Sequence, residues 1–168
     1  AAAAEGFSGA MFPWQSGSDG SEETQTLHLN PDSGRWLPDA SHLQRHINAA
    51  IAYNVWQHYM ITGSVRFLRF TGADLLIEIA RFWSSIATYN RETDSYELNG
   101  VMGPDEYHDG HPNSDEGGLR NNTYTNVMAV WALQRALEAL QELPHSPPTQ
   151  QRSDRARPRP RVDRRCRD

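Results

Sequence analysis

Val127-Met128-Ala129-Val130-Trp131-Ala132-Leu133 is the stretch on which the fold turns. These seven residues carry no polar side chain, and they sit inside a longer helical span from Thr123 to Glu142. A helix that is apolar all round is one buried between neighbours. The neighbours are legible upstream. Ile47, Ala50, Ile51, Val55 and Tyr59 recur at helical spacing and predict a helix over roughly 42–61. Asp39 or Ser41 can cap its start, and Gly63 follows its end. Leu76, Ile79, Ala80, Trp83 and Ile86 form the apolar stripe of another helix over roughly 65–87. Gly72 divides that span into a short helix, a turn and the main helix.

Between the second and third helices, Asp94-Ser95 reads as a turn and Tyr96-Glu97-Leu98 alternates like a strand, so a small hairpin is expected over 89–102. Residues 11–39 read as a long irregular loop dense in Gly, Ser and Asp. Its Trp14 and Trp36 imply a packed, functional loop.

The composition changes at Leu143. Beyond it lie Pro, Asp and eight arginines with almost nothing apolar, a text unable to bury enough surface to offset chain entropy. A disordered tail is therefore expected over 144–168, serving as a basic arm or arising from a shifted reading frame of GC-rich DNA; the second reading is favoured. The eight arginines face three aspartates, so the tail carries +5 and the body −10 of the net −5. An acidic body argues against nucleic acid as a partner. No apolar run reaches the roughly 18 residues of a membrane span. The single cysteine, Cys166, allows no disulfide within the chain and fits a reducing, cytoplasmic compartment. The opening run Ala1 to Ala10 has no Met and no basic region. It resembles no secretory signal and reads as a cut into a longer chain.

The densest polar stretch is Gly103-Pro104-Asp105-Glu106-Tyr107-His108, followed by Asn121-Asn122-Thr123-Tyr124-Thr125-Asn126. Gly-Pro cannot continue a helix, so Asp105 and Glu106 lie on a sharp loop leading to a helix start. Acid catalysis at a glycosidic oxygen needs a carboxyl that keeps its proton near neutral pH. Adjacent Asp and Glu can separate into one ionised and one protonated group. Against this stands a plain surface loop with solvated carboxylates and Asn caps. A second stretch, Gly9-Ala10-Met11-Phe12-Pro13-Trp14-Gln15, continues to Asp19, Glu22 and Glu23. Trp14 offers a ring face for a sugar's C–H surface, and Gln15, Asp19, Glu22 and Glu23 offer planar polar groups for its hydroxyls. Equally, Trp14 could simply anchor its loop to the core. His108, Asp109, His111, Asp115 and Glu116 lack recognised ligand spacing, so no metal site is expected. His28, His42, His46 and His58 are scattered, and a helical histidine is more often packed than catalytic.

Taken together, these stretches resemble glycoside hydrolase family 65, the maltose, trehalose and kojibiose phosphorylases with related hydrolases. The resemblance is carried by Gly9 to Trp14, by His46-Ile47 with Ile51-Ala52-Tyr53, and by Glu78-Ile79-Ala80-Arg81-Phe82-Trp83. It continues in Val101-Met102-Gly103-Pro104-Asp105-Glu106-Tyr107-His108 and Asn121-Asn122-Thr123-Tyr124-Thr125-Asn126. It covers nearly all of residues 6 to 142 and none of the tail. It implies a mainly α fold, residues 1–143 forming part of an (α/α)6 barrel with a small hairpin. It implies Glu106 as general acid, with Trp14, Gln15, Glu22, Glu23, Asp105, Tyr107, His108 and Asn122 as substrate-binding residues.

The implied reaction is inverting cleavage of an α-glucoside disaccharide without a cofactor. Inorganic phosphate is the co-substrate in the phosphorylases, giving β-glucose 1-phosphate, and water takes its place in the hydrolases. Three positions depart from the family pattern: Gln15 where an acidic residue is common, Ala50 where Asp is common, and the longer loop 109–118. The residues that decide between phosphate and water are expected later in the barrel than this chain reaches. An incomplete, inactive piece of the enzyme is the leading expectation. A carbohydrate-binding remnant and a basic-tailed interaction protein are the alternatives.

Overall fold

The computed structural model describes residues 1–105, 108–111 and 117–143. Among them helices dominate. α1 spans Ile47–Thr62, α2 Val65–Phe67, α3 Ala73–Ile86 and α4 Thr123–Glu142, and a π turn, Leu68–Gly72, joins α2 to α3. The interruption expected at Gly72 is that π turn. Helices α1, α3 and α4 pack on one another, with α3 against α4 the most extensive contact. Leu68, Leu76, Ile79, Phe82 and Trp83 are the large side chains fully enclosed at the centre. Phe82 and Trp83 lie 5.3 Å apart, and Phe7 meets Phe82 edge-on at 6.0 Å.

Helix ends follow local chemistry. Gly63 closes α1 in the left-handed region at φ 60°, its N–H donating to the Tyr59 carbonyl. Asn122 opens α4, its side chain accepting from the Thr125 N–H at 3.0 Å. Asp39 caps no helix directly; its carboxylate accepts from the Ser41 N–H at 2.8 Å and sets the short 3-10 turn Ser41–Leu43 ahead of α1.

Helix α4 is buried on one side only. Thr125, Ala129, Ala132, Ala136 and Ala139 form its inner face, while Val127, Val130, Leu137 and Leu140 are each at least half exposed. The sequence expectation of a helix enclosed all round is corrected: small alanines let one face approach α1 and α3 closely, while Val127 and Val130 stay exposed and Leu137 and Leu140 edge a groove shared with Ile77 and Ala80 of α3. The stripe of α1 also shifts. Ala49, Ala52 and Trp56 are its buried apolar residues, and Ile51, Val55 and Tyr59 pack at their margin.

Two hairpins decorate the helices. β3 (Thr88–Asn90) pairs antiparallel with β4 (Ser95–Glu97), as expected, with Asp94 at φ 50° in the turn. The other lies inside the stretch read as irregular: β1 (Leu27–Asn30) pairs with β2 (Arg35–Pro38). The Asn30 side chain accepts from the Asp32 and Ser33 N–H groups, and Gly34 supplies φ 62°. Those turn residues, flanked by the alternation Leu27-His28-Leu29, were a readable hairpin signal. Trp36, expected to be packed, is 66% exposed. It pairs with Leu29, which puts both on the outward face of the hairpin.

The N-terminal segment is sewn onto the helices by polar bonds. The Ala10 N–H donates to the Glu78 carbonyl at 2.9 Å. Gly9, at φ 75°, runs so close to α3 that an added Cβ would lie 2.6 Å from the Phe82 nitrogen. Arg45, nearly buried, forms an ion pair with Glu5 and approaches the Met11 sulfur at 3.0 Å. Asn48 is fully buried; its carbonyl oxygen accepts from the Phe12 N–H at 2.7 Å, and its amide donates to the Arg45 carbonyl at 2.9 Å. Replacing Asn48 by Leu strands the Phe12 N–H away from water. The expected loss is about 1–3 kcal/mol, read as a lower urea midpoint at unchanged slope; an unchanged midpoint would show that the bond does not hold the segment.

Candidate active site

A cavity of about 340 Å³ opens where the N-terminal loop, the β1–β2 hairpin and the segment after β4 converge. Trp14 stands on one side, Gln25, His28, Pro38 and Asp39 come from the hairpin and its flanks, and Met102, Pro104, Asp105 and Asp109 close the other. Its size suits a small ligand.

The Gly103–Asp105 wall belongs to a loop clasped at its base. Val101 and Leu119 exchange backbone bonds, with Leu119 N–H to Val101 O at 2.6 Å. Asn121, at φ 54°, donates its N–H to the Leu98 carbonyl while its side chain accepts from the Leu98 N–H. Beside this clasp, Arg120 donates to both oxygens of Glu97, at 2.8 and 2.7 Å, and Asn90 adds a bond at 2.9 Å. The Arg120 bonds, then that of Asn90, hold the Glu97 carboxyl below its ordinary value. Higher in the loop, the Gly103 N–H donates to the His108 carbonyl at 2.8 Å, and the His108 N–H to the Asp105 carbonyl at 3.3 Å. The His108 ring lies against Gly103, where any side chain would collide with it.

On the opposite side, Trp14 is 38% exposed and packs on the imidazole of His46, ring centres 5.6 Å apart. His46 is itself buried, with Tyr124 edge-on at 5.6 Å. Burial depresses the His46 pKa, and a bond to the Met102 backbone opposes that shift without cancelling it. Asp39 is differently poised. Burial alone would raise its carboxyl, but hydrogen bonds from Ser41 and Gln25 and the nearby His28 together hold it below its ordinary value. Gln25 lies 2.6 Å and the His28 Nδ1 3.6 Å from it.

Of the residues expected from sequence, Trp14 and Asp105 reach the cavity wall. Glu106 and Tyr107 lie outside the described residues. Gln15, Glu22, Glu23, His108 and Asn122 are not among the described residues lining the cavity. The Gln15 backbone bonds Thr24 and Glu23, the Glu22 carboxylate accepts from the Thr24 N–H and hydroxyl, and Glu23 folds over Gly17. Gln25, His28, Asp39, Gln44 and Asp109 were not singled out as site residues. For His28 the strand alternation was the available signal. Among the described residues, no group of three or more His, Cys, Asp or Glu side chains could hold a metal ion, and no helix is long and apolar enough to cross a membrane.

A family model described as "Glycosyl hydrolase family 65 central catalytic domain" matches residues 1–158. The chain belongs to glycoside hydrolase family 65. The match extends beyond residue 142, where the motif resemblance ends. Over 139 residues the chain is 55% identical to an uncharacterized glycosyl hydrolase of Mycobacterium tuberculosis, covering 83% of the chain and 10% of that protein. It is 46% identical over 129 residues to a trehalose 6-phosphate phosphorylase of Lactococcus lactis, covering 77% of the chain and 16% of that enzyme. A solved structure described as "Putative kojibiose phosphorylase from human microbiome" superposes with a TM-score of 0.58 at 25% identity, covering 79% of this chain and 16% of that one. The chain thus spans a small part of the length of these family 65 relatives.

The depressed pKa of His46 has a consequence for stability. Above the ordinary value of 6.5 both folded and unfolded chains hold a neutral imidazole. Below it the unfolded chain takes up a proton that the folded site resists, so stability falls until the lowered folded pKa is passed. Denaturation midpoints measured from pH 7.5 to 5 should decline, and His46→Phe should remove part of that slope. An identical slope in the variant would show that His46 titrates normally.

Proposed function

We propose that this chain supplies the donor-sugar side of an inverting α-glucoside phosphorylase, with Glu106 as general acid. The observation that carries the reading is the convergence of Trp14 and Asp105, the residue next to Glu106, on one cavity of about 340 Å³. A glucose ring laid on Trp14 would present its glycosidic oxygen toward the Gly103–Asp105 side. Residues 1–143 then form part of an (α/α)6 barrel, a reading supported by the helical packing of α1, α3 and α4 and by the family match.

In this reading Glu106 protonates the departing oxygen of a glucose disaccharide while inorganic phosphate attacks the anomeric carbon from the opposite face. The glycosidic bond breaks, the proton goes to the acceptor sugar, and β-glucose 1-phosphate forms. Phosphate is favoured over water by the relatives named as phosphorylases of trehalose 6-phosphate and kojibiose. Hydrolysis is the second reading, in line with the name of the 55% identical relative from Mycobacterium tuberculosis, an uncharacterized glycosyl hydrolase. The single cysteine fits a cytoplasmic enzyme.

The test uses the protein that carries this chain. Kojibiose, trehalose and trehalose 6-phosphate are offered with and without phosphate, and the anomer of the product is read by NMR. Phosphate-dependent release of β-glucose 1-phosphate supports the proposal; phosphate-independent release of β-glucose supports hydrolysis; an α-configured product sinks inversion. Glu106→Gln should lower turnover of the natural disaccharide by at least about 100-fold. It should affect substrates whose leaving groups need no protonation far less. Equal losses on both substrate kinds would remove Glu106 from the acid role.

A further inference from the structure

Gln44 is a buried polar side chain in the cavity wall whose amide bonds no described residue. Its polar neighbours in that wall are already committed to one another. The Asp39 carboxylate accepts from the Ser41 N–H at 2.8 Å and from the Gln25 amide at 2.6 Å, with the His28 Nδ1 at 3.6 Å. Gln44 is only 8% exposed, yet neither of its amide atoms is sealed from solvent. What stays accessible of this residue therefore includes its polar end, and the space it lines is the cavity.

The backbone that carries this side chain is held from both sides. The Gln44 N–H donates to the Ser41 carbonyl at 3.0 Å, and the Ile47 N–H donates to the Gln44 carbonyl at 3.3 Å. The adjacent Leu43 carbonyl accepts from the Met102 N–H at 2.8 Å, which ties this turn to the chain leading into Gly103-Pro104-Asp105. Gln44 is thus fixed where the flank of the β1–β2 hairpin, the start of α1 and the Gly103–Asp105 loop meet.

A buried amide without a partner destabilises a fold, and a methionine of similar length would avoid that cost. What methionine lacks is an acceptor oxygen and N–H donors in one plane, the pattern that matches two neighbouring hydroxyls of a sugar ring. Trp14, on the same cavity, offers a partly exposed ring face. We propose that Gln44 is a substrate-binding residue whose amide holds a pair of neighbouring hydroxyls on the glucose ring stacked against Trp14. The proposal rests on the sugar site described above and adds to it the group that sets how the ring is turned. A stacked ring can rotate on an aromatic face; a paired hydrogen bond selects one rotation. Such a site discriminates against a sugar that lacks one of those hydroxyls, because the amide is then left buried and unpaired.

The test is calorimetric binding of D-glucose and its monodeoxy analogues to the protein that carries this chain. Wild type should bind the analogues lacking either of two neighbouring hydroxyls about 10-fold more weakly than glucose. Gln44→Met keeps the length of the side chain and loses the amide. It should bind glucose about 10-fold more weakly than wild type, and those two analogues should then bind as well as glucose does. A merely structural Gln44 would weaken every sugar by one factor and leave the deoxy penalties in place, a pattern that overturns the proposal. Unchanged glucose affinity in Gln44→Met overturns it too, as does a wild type that binds no glucose or penalises no analogue. Near-UV circular dichroism checks folding. Should Gln44→Met not fold, Gln44→Glu decides. It keeps an acceptor and loses the N–H donors, so the penalty should vanish at the hydroxyl that accepts from the amide and persist at the one that donates to it. Penalties unchanged at every hydroxyl would sink the assignment. These are readouts of binding, so a wild type that binds glucose in this way but cleaves no α-glucoside refutes the proposed reaction and leaves the role of Gln44 standing.

Discussion

The hydrogen bond from the Phe12 N–H to the side chain of Asn48 is where an irregular segment becomes part of a helical fold. Loop backbone brings unsatisfied donors and acceptors wherever it is buried, and each must find a partner. Asn48 is fully enclosed and spends its oxygen on Phe12 and its amide on the Arg45 carbonyl. Two further attachments, Ala10 to Glu78 and the Arg45–Glu5 pair, fix the same segment at points ahead of Phe12. With Met11 and Pro13 both buried, Trp14 has little freedom over where it emerges. Together with Phe7 and Met11, which pack into the apolar core, these bonds lay the segment across the helices and so supply one wall of the cavity.

The other wall depends on a different device. Residues 98–121 leave the hairpin and return to α4, and their ends are joined by backbone pairing of Val101 with Leu119 and by Asn121 bonding Leu98 twice. The Glu97–Arg120 pair reinforces the same closure with two bonds. Closing the loop at its base ties down the backbone on both sides of the stretch that carries Asp105. The two walls therefore have independent supports.

Charge is handled locally rather than by a general field. Asp39 and Glu97 both sit below the ordinary carboxylate range, each because hydrogen-bond donors outweigh the cost of burial. His46 moves the opposite way in charge, toward neutrality, because its surroundings are aromatic and one backbone bond is not enough to offset desolvation. These two carboxylates are thus already paired in the absence of any ligand.

The sequence alone determined the three main helices, the β3–β4 hairpin, the cap at Gly63 and the break near Gly72. Each depends on residues a few positions apart: apolar spacing, a turn dipeptide, or a glycine that can adopt positive φ. Motif order likewise determined the family, because Gly103 to His108 and Asn121 to Asn126 are dense in unusual residue types. Tertiary structure decided the rest. Only one face of α4 is buried, since a run apolar on every side does not say which side another helix will meet. Gln25, His28 and Asp39 join Trp14 and Asp105 at one cavity although they lie tens of residues apart from one or both, and no local spacing encodes such a meeting. The surroundings of His46 were hidden for the same reason. Its ring neighbours Trp14 and Tyr124 are distant from it in the chain and meet it only in the folded molecule.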